Sequence, residues 1–436
     1  MSSLSTSTFR PKRSGFNIDS SVFTSHLLHA AETPTLPFLS SVASFSLTTP
    51  NSSASVAICA VPTHEEAFLP EWITWHRLLG VERFHLFDND PSRRMRRLLR
   101  PWIEEGSVVL YEIDYEDRTE VGTVYQQHVM RLCEKYVLPK VNWASHHDID
   151  EFLLVDAPGW SPSLPTFVPP APNADEPDVG RWTFPMHQRF EMLDDATCVP
   201  MLRLPFQNYG VKELGREELV VESQTVRERI PPDFHSYGKM FLHSGGKQGK
   251  AAWMGPHSCK SLPDSVILDA HGKEMRFDHG TYPYHGVPLP QEGLILHHYI
   301  QRSLADCYSK FHVLSTTPND WRSRDGLKGC ARNYVPTDAE ISSPSSLAAL
   351  KAEPQGEELV SRPESWQVIF TRDERARESW QARMTAAILR EWRRRGKSTQ
   401  EWFWEEGDQA RDEKGELEEM QGVVQVRDVY MEVRGM

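Results

Sequence analysis

The chain has 436 residues, 39% of them hydrophobic and 13 of them tryptophan. That is enough for a sizeable core and for two or three average domains, or one large domain with appendages. With 48 Lys and Arg against 61 Asp and Glu the formal net charge is −13, which argues against wholesale nucleic-acid binding. No stretch approaches the roughly 18 to 20 apolar residues of a membrane span. Ser21 to Leu47 is broken by His, Glu, Pro and Ser, so the compact apolar block of a signal peptide is missing. Both features point to a soluble, cytoplasmic chain. Six scattered cysteines (59, 133, 198, 259, 307, 330) without a Cys-x-x-Cys pair read as free buried thiols.

Residues 1–52, rich in Ser, Thr and Pro, read as disordered. Val56 to Val61 is a continuous apolar run of strand length, as expected for a strand covered on both faces. After a polar loop, Phe68, Leu69, Trp72, Trp75, His76 and Leu79 recur at helical spacing until Gly80 stops them. A second strand over Val81 to Phe87 ends in Asp88-Asn89-Asp90. A helix from about Ser92, a strand at Ser107 to Ile113 and a helix over Val124 to Tyr136 follow, and a fourth strand leads into an acidic motif. Such alternation predicts a mainly parallel sheet with helices on both faces. Ligands then bind beyond the carboxyl ends of the strands. Those ends carry Thr63 to Glu66, Asp88 to Asp90, Asp114 and Asp148 to Glu151.

The motif is His146-His147-Asp148-Ile149-Asp150-Glu151-Phe152-Leu153. Carboxylates on a tight turn at a strand end suit a hard divalent cation such as Mn²⁺ or Mg²⁺, which takes its other ligands from water and substrate phosphates. A nucleotide-sugar transferase needs such a device to neutralise a departing diphosphate. Glu66, Asp88 and Asp114 would accept hydrogen bonds from the nucleotide's base or ribose. Trp72 and His76, one turn apart, read as core. Adjacent His146 and His147 point to opposite faces of a strand and do not chelate one ion. The run Arg93, Arg94, Arg96, Arg97 and Arg100 reads as an exposed helix face paired with Glu104 and Glu105 rather than a phosphate site.

Farther on, residues 156–180 form a Pro-rich surface insertion, with prolines from Pro158 to Pro177, and Arg181 to Tyr299 has shorter, aromatic-rich strands. Residues 336–365 read as a linker and 366–404 as an amphipathic helical extension, with Trp366, Phe370, Trp380, Met384, Ile388 and Trp392 at helical spacing. Residues 405–436 form an acidic tail with ten acids and four bases.

The ordered motifs resemble glycosyltransferase family 92. The family's Leu-x-Glu-Trp-x-x-x-His helix ending in Gly-Val is matched by Leu69-Pro70-Glu71-Trp72 through His76 to Gly80-Val81. Its preceding Lys-Asn is replaced here by His64-Glu65. Phe87-Asp88-Asn89, Gln127, Cys133, Trp143 and Asp148 to Phe152 follow in the family's order. Phe206 to Gly210 resembles its Gly loop with the first Gly missing, and Lys239 to His257 and His298-Tyr299 resemble its closing motifs.

The resemblance implies a GT-A type α/β nucleotide-diphospho-sugar transferase domain over residues 53–335. It also implies a secretory-pathway location, against the absence of a leader. The implied reaction is inverting transfer from a UDP-sugar, UDP-galactose first, to a glycan or small-molecule hydroxyl. Asp148 would bind both the metal and the donor diphosphate, Asp150 the metal, and His298 or His257 would complete the shell. Glu222 is the first choice of general base, and Glu151 either supports the loop or approaches the acceptor. The alternatives are a catalytically silent binding fold and a metal-dependent phosphoesterase.

Overall fold

The computed structural model describes residues 55–62, 65–88, 94–113, 123–156, 166–168, 181–211, 214, 218–228, 238–245, 253–255, 257–259, 265–275, 289–290, 292–307, 330, 334–335, 343–345, 348, 370–394 and 423–426. Residues 1–52, the Pro-rich insertion apart from Asp156 and a short strand at 166–168, most of the linker, and Asp114 lie outside these; that strand pairs with another at 181–183, just past the insertion.

Val56–Ala60 (β1) is buried at every position, the environment its unbroken apolar run demands. A short 3-10 turn, Glu66–Phe68, leads into Leu69–Leu79 (α1). The helix ends where Gly80 takes a left-handed φ of 109°. Glycine is required there twice over, because a Cβ would also meet the Phe184 Cβ at 2.6 Å. Next come Arg83–Asp88 (β2), Arg94–Glu105 (α2), Val108–Ile113 (β3), Thr123–Leu132 (α3), which widens into a π turn at Cys133–Val137, and Trp143–His146 (β4). The four strands pair in parallel in the order β3-β2-β1-β4. The expected alternation is therefore present, and β1, β2 and β4 all end on one edge of the sheet.

Beyond β4 the sheet turns antiparallel. Glu151–Asp156 (β5) follows the acidic turn. After the helix Pro185–Met192 (α4) comes the long strand Cys198–Tyr209 (β6). A short helix, Val220–Ser223 (α5), precedes Val226–Glu228 (β7), Lys239–His243 (β8) and Gly293–Tyr299 (β9). β8 pairs antiparallel with both β4 and β6. β6 is long enough to serve several neighbours: its first half meets β8, its second half runs parallel to β9, and Phe206 and Gln207 pair with β7. β9 pairs antiparallel with β5 and sets His298 opposite Glu151.

The C-terminal pattern differs from the periodicity. Phe370–Arg372 (β10) is a strand on β7, a four-residue helix follows at Arg375–Glu378, and the long helix runs from Trp380 to Arg394 (α6). α6 packs on α1 through a face that includes Ala382, Ala386 and Leu389. Helical spacing placed Phe370 on the helix because β7's free edge is invisible in sequence. The acidic tail supplies Val423–Val426 (β11), parallel to β3 at the sheet's edge. Its Val-Val-Gln-Val segment has β-branched character that overrides the charged composition around it.

All six cysteines are paired, as Cys59–Cys133, Cys198–Cys259 and Cys307–Cys330. This corrects the reading of free thiols. The partners are 74, 61 and 23 residues apart, so only chain folding brings them together. The arginine run is structural where it is described: Arg96 pairs with the buried Glu112 of β3, and Arg100 with Glu104 at 2.7 Å.

Candidate functional site

The acidic turn joins β4 to β5 at the sheet edge where β1 and β2 also end. Asp148 O accepts from Glu151 N–H at 3.1 Å, and Asp148 N–H donates to Glu151 Oε2 at 2.9 Å. Glu151 thus closes the turn with both its backbone and its side chain. His147 N–H donates to Cys59 O, and Tyr299 N–H donates to Asp150 O at 2.8 Å, so β1 and β9 pin the two ends.

The strand leaving the turn is held by α1. Trp72 Nε1 donates to Glu151 O at 2.9 Å and Trp75 Nε1 to Leu153 O at 2.7 Å. Leu153 N–H donates to His76 Nε2 at 3.2 Å, and His76 Nδ1 in turn contacts Trp72 O at 2.8 Å. Positions 72, 75 and 76 lie on one helix face, and residues 151 and 153 present their backbone to one edge of β5. Trp72 and His76 are core residues, as expected, and they also complete the hydrogen bonding of β5. Burial pushes the His76 imidazole down to about 3, so it is the neutral acceptor this contact needs.

The two aspartates of the motif turn to different partners. Asp148 Oδ2 lies 2.9 Å from Lys239 Nζ, and its Oδ1 accepts from Gln126 Nε2 at 3.2 Å. Asp150 Oδ1 lies 3.4 Å from His298 Nε2. Glu151 is fully buried between Lys239 at 3.3 Å and Arg203 at 3.6 Å. Burial would raise the Asp148 carboxyl, but Lys239 beside it, together with His146 and His298, holds it well below the usual carboxylate range. For Glu151 burial prevails and its proton affinity is raised.

His257 Nδ1 contacts Gly238 O at 2.8 Å, and burial with Lys239 nearby lowers this imidazole to about 4. The four residues expected to share a metal are therefore not gathered on one point. Among the described residues no three His, Cys, Asp or Glu side chains converge as metal ligands do.

Glu66, which opens the 3-10 turn after β1, and Asp88, the last residue of β2, have little exposure. Among the described residues Glu66 Oε1 finds no hydrogen-bond partner, and neither ring nitrogen of His146 or His147 does. Glu222, on α5, is partly exposed. Burial raises the proton affinity of Glu71 and nearby Glu222 adds to it, while Arg302 lowers it; Arg302 in turn feels Asp150.

Several residues of the site carried no clear signal in sequence. Gln126, rather than its neighbour Gln127, reaches the turn, and Gln127 is exposed. Arg203 and Arg302 come from distant segments. Arg302, buried and ion-paired with Glu65, lies 3.9 Å over the Phe68 ring. Glu65, half of the altered His64-Glu65 pair, is thus the counter-ion of a buried arginine; His64 lies outside the described residues.

The family model for glycosyltransferase family 92 matches residues 54–163, the segment from β1 through the acidic turn and β5. A glycosyltransferase family 92 protein of Oryza sativa subsp. japonica is 26% identical over 100 residues, which are 23% of this chain and 16% of that protein. The resemblance read from the motifs is borne out over that segment. The match spans about a sixth of the length of the curated relative.

Proposed function

We propose, taking the family 92 match over residues 54–163 as the premise, that this protein is a GT-A type glycosyltransferase. It would transfer a sugar, galactose first among the candidates, from a UDP-sugar to a hydroxyl of a glycan or small molecule, with inversion. The observation that carries the reading is the acidic turn closing β4 at the carboxyl edge of a β3-β2-β1-β4 parallel sheet, inside the matched segment. Open α/β sheets bind ligands at that edge.

Asp150 and His298 fit one divalent ion that keeps waters and takes further ligands from a diphosphate, since a carboxylate with an imidazole suits Mn²⁺. When bound, Mn²⁺ or Mg²⁺ would neutralise charge developing on the leaving UDP. Asp148 fits a direct ligand less well, because its carboxylate is already held by Lys239 and Gln126. Glu66 and Asp88 would accept from the nucleoside's N–H or O–H groups, and the Glu66 oxygen without a partner suits that task. Glu222, partly exposed, suits a general base for the acceptor hydroxyl better than Glu151, which is enclosed by Lys239 and Arg203.

Calorimetry of UDP with and without Mn²⁺, on wild type and Asp150→Asn, tests the reading. Metal-dependent UDP binding that falls about a hundredfold in the variant is the expected result. No nucleotide binding under any condition, or phosphate release from simple esters without an acceptor, would overturn it.

A further inference from the structure

We propose that Lys239 is a positioning residue for the acidic turn. Its ammonium draws Asp148 and Glu151 toward β8, and Asp150 is thereby presented beside His298. The inference rests on the donor-site reading above and adds a residue that acts on the site without touching the substrate.

Lys239 opens β8 and sits in register with Met201 of β6, so the sheet fixes its backbone. Its side chain is 1% exposed, and its Nζ lies 2.9 Å from Asp148 Oδ2 and 3.3 Å from Glu151 Oε2. A lysine so enclosed is tolerated only with its charge matched. The carboxylates that match it are the first aspartate of the motif and the glutamate that closes the turn. Arg203, from β6, supplies a second positive charge to Glu151 at 3.6 Å.

The turn is therefore gripped from two directions. One grip is ionic, from Lys239 and Arg203 on adjoining strands; the other runs from β9, where Tyr299 N–H takes Asp150 O and His298 faces the Asp150 carboxylate. Remove the ammonium, and Asp148 and Glu151 become like charges crowded in one place, with Glu151 wholly buried. The turn then relieves the repulsion by swinging or by taking up another cation, and either moves Asp150 relative to His298. Arg203 still faces Glu151 at 3.6 Å, so the carboxylate left without its counter-ion is that of Asp148, and neutralising it should undo the harm.

The test is a cycle of Lys239→Met, Asp148→Asn and the double variant. UDP affinity is read with Mn²⁺ at a temperature where every variant is folded, and unfolding midpoints are read without ligand. Lys239→Met should weaken UDP binding by about tenfold or more and lower the midpoint by about 8 °C or more. The double variant should return both to the values of Asp148→Asn alone. Wild-type affinity in Lys239→Met, or a double variant no better than Lys239→Met, overturns the proposal. If UDP binds but the double variant rescues only the midpoint, the positioning role falls and the donor reading survives. If the midpoint is rescued and wild type binds no UDP, the donor reading falls, and the positioning role with it. Lys239 is then a structural ion pair alone.

Discussion

Glu71 lies in α1 with Oε2 accepting from Val220 N–H at 3.0 Å and Oε1 from Val221 N–H at 3.3 Å. It caps α5, the short helix that carries Glu222. Burial raises its proton affinity to about 7 from an ordinary 4.5, although the two N–H groups and Arg302 pull the other way. Between those values the folded state holds a proton that the unfolded chain has released, so this residue makes stability fall as pH rises through the window. The full effect is about 3 kcal/mol at about 1.4 kcal/mol per unit. His76 acts with the opposite sign. It is lowered to about 3 in the fold, so its contribution is present above its unfolded value of 6.5 and is lost as pH falls toward 3. Thermal melts of Glu71→Gln should therefore rise with pH more steeply than wild type between pH 4.5 and about 7, where Glu71 opposes His76, and keep the acid-side loss. An unchanged slope would mean that Glu71 is ionised in the fold.

At the scale of elements, α1 and β5 form one device. The sequence places Trp72, Trp75 and His76 on one helical face and so predicts that they are buried together. It does not say that their polar atoms meet the backbone of a strand some 78 residues away. Periodicity reports which face is apolar, and the hydrogen bonds are set by which edge that face lands on. His76→Leu keeps an apolar side chain but leaves the Leu153 amide, now buried, without its acceptor. The expected cost is about 1–3 kcal/mol, read as a lower unfolding midpoint. Hydrogen exchange in the peptide spanning β5 should also quicken by about tenfold. Equal exchange in the two proteins would show that β5 is held by β9 alone.

For the whole molecule, the disulfides tie elements that pairing alone leaves loosely joined. Cys59–Cys133 links the central strand β1 to the π turn after α3, and it closes the longest of the three loops, at 74 residues. The chain-entropy account gives such a cross-link several kcal/mol, and removing one from a folded domain costs about 2–5 kcal/mol. Cys59→Ser/Cys133→Ser should lower the unfolding midpoint accordingly, and the wild type should resist maleimide labelling until unfolded and reduced. Ready labelling of the native protein would show thiols instead. Paired cysteines persist in oxidising surroundings.

The sequence by itself determined the parallel half of the fold, because each strand there is a short apolar run and each helix has its own apolar stripe and stop. It also singled out Asp148, Asp150 and Glu151, since three acids beside an apolar pair at a strand end are a local pattern. Tertiary structure alone decided how those acids divide their work. Lys239, Arg203, Gln126 and His298 reach the turn from four separate segments. Which carboxylate meets a lysine and which a histidine depends on strand order and register. The cysteine pairs and the edge strand β11 have the same origin. They are contacts between residues far apart in the chain, and neither composition nor periodicity carries information about which distant segment will lie alongside.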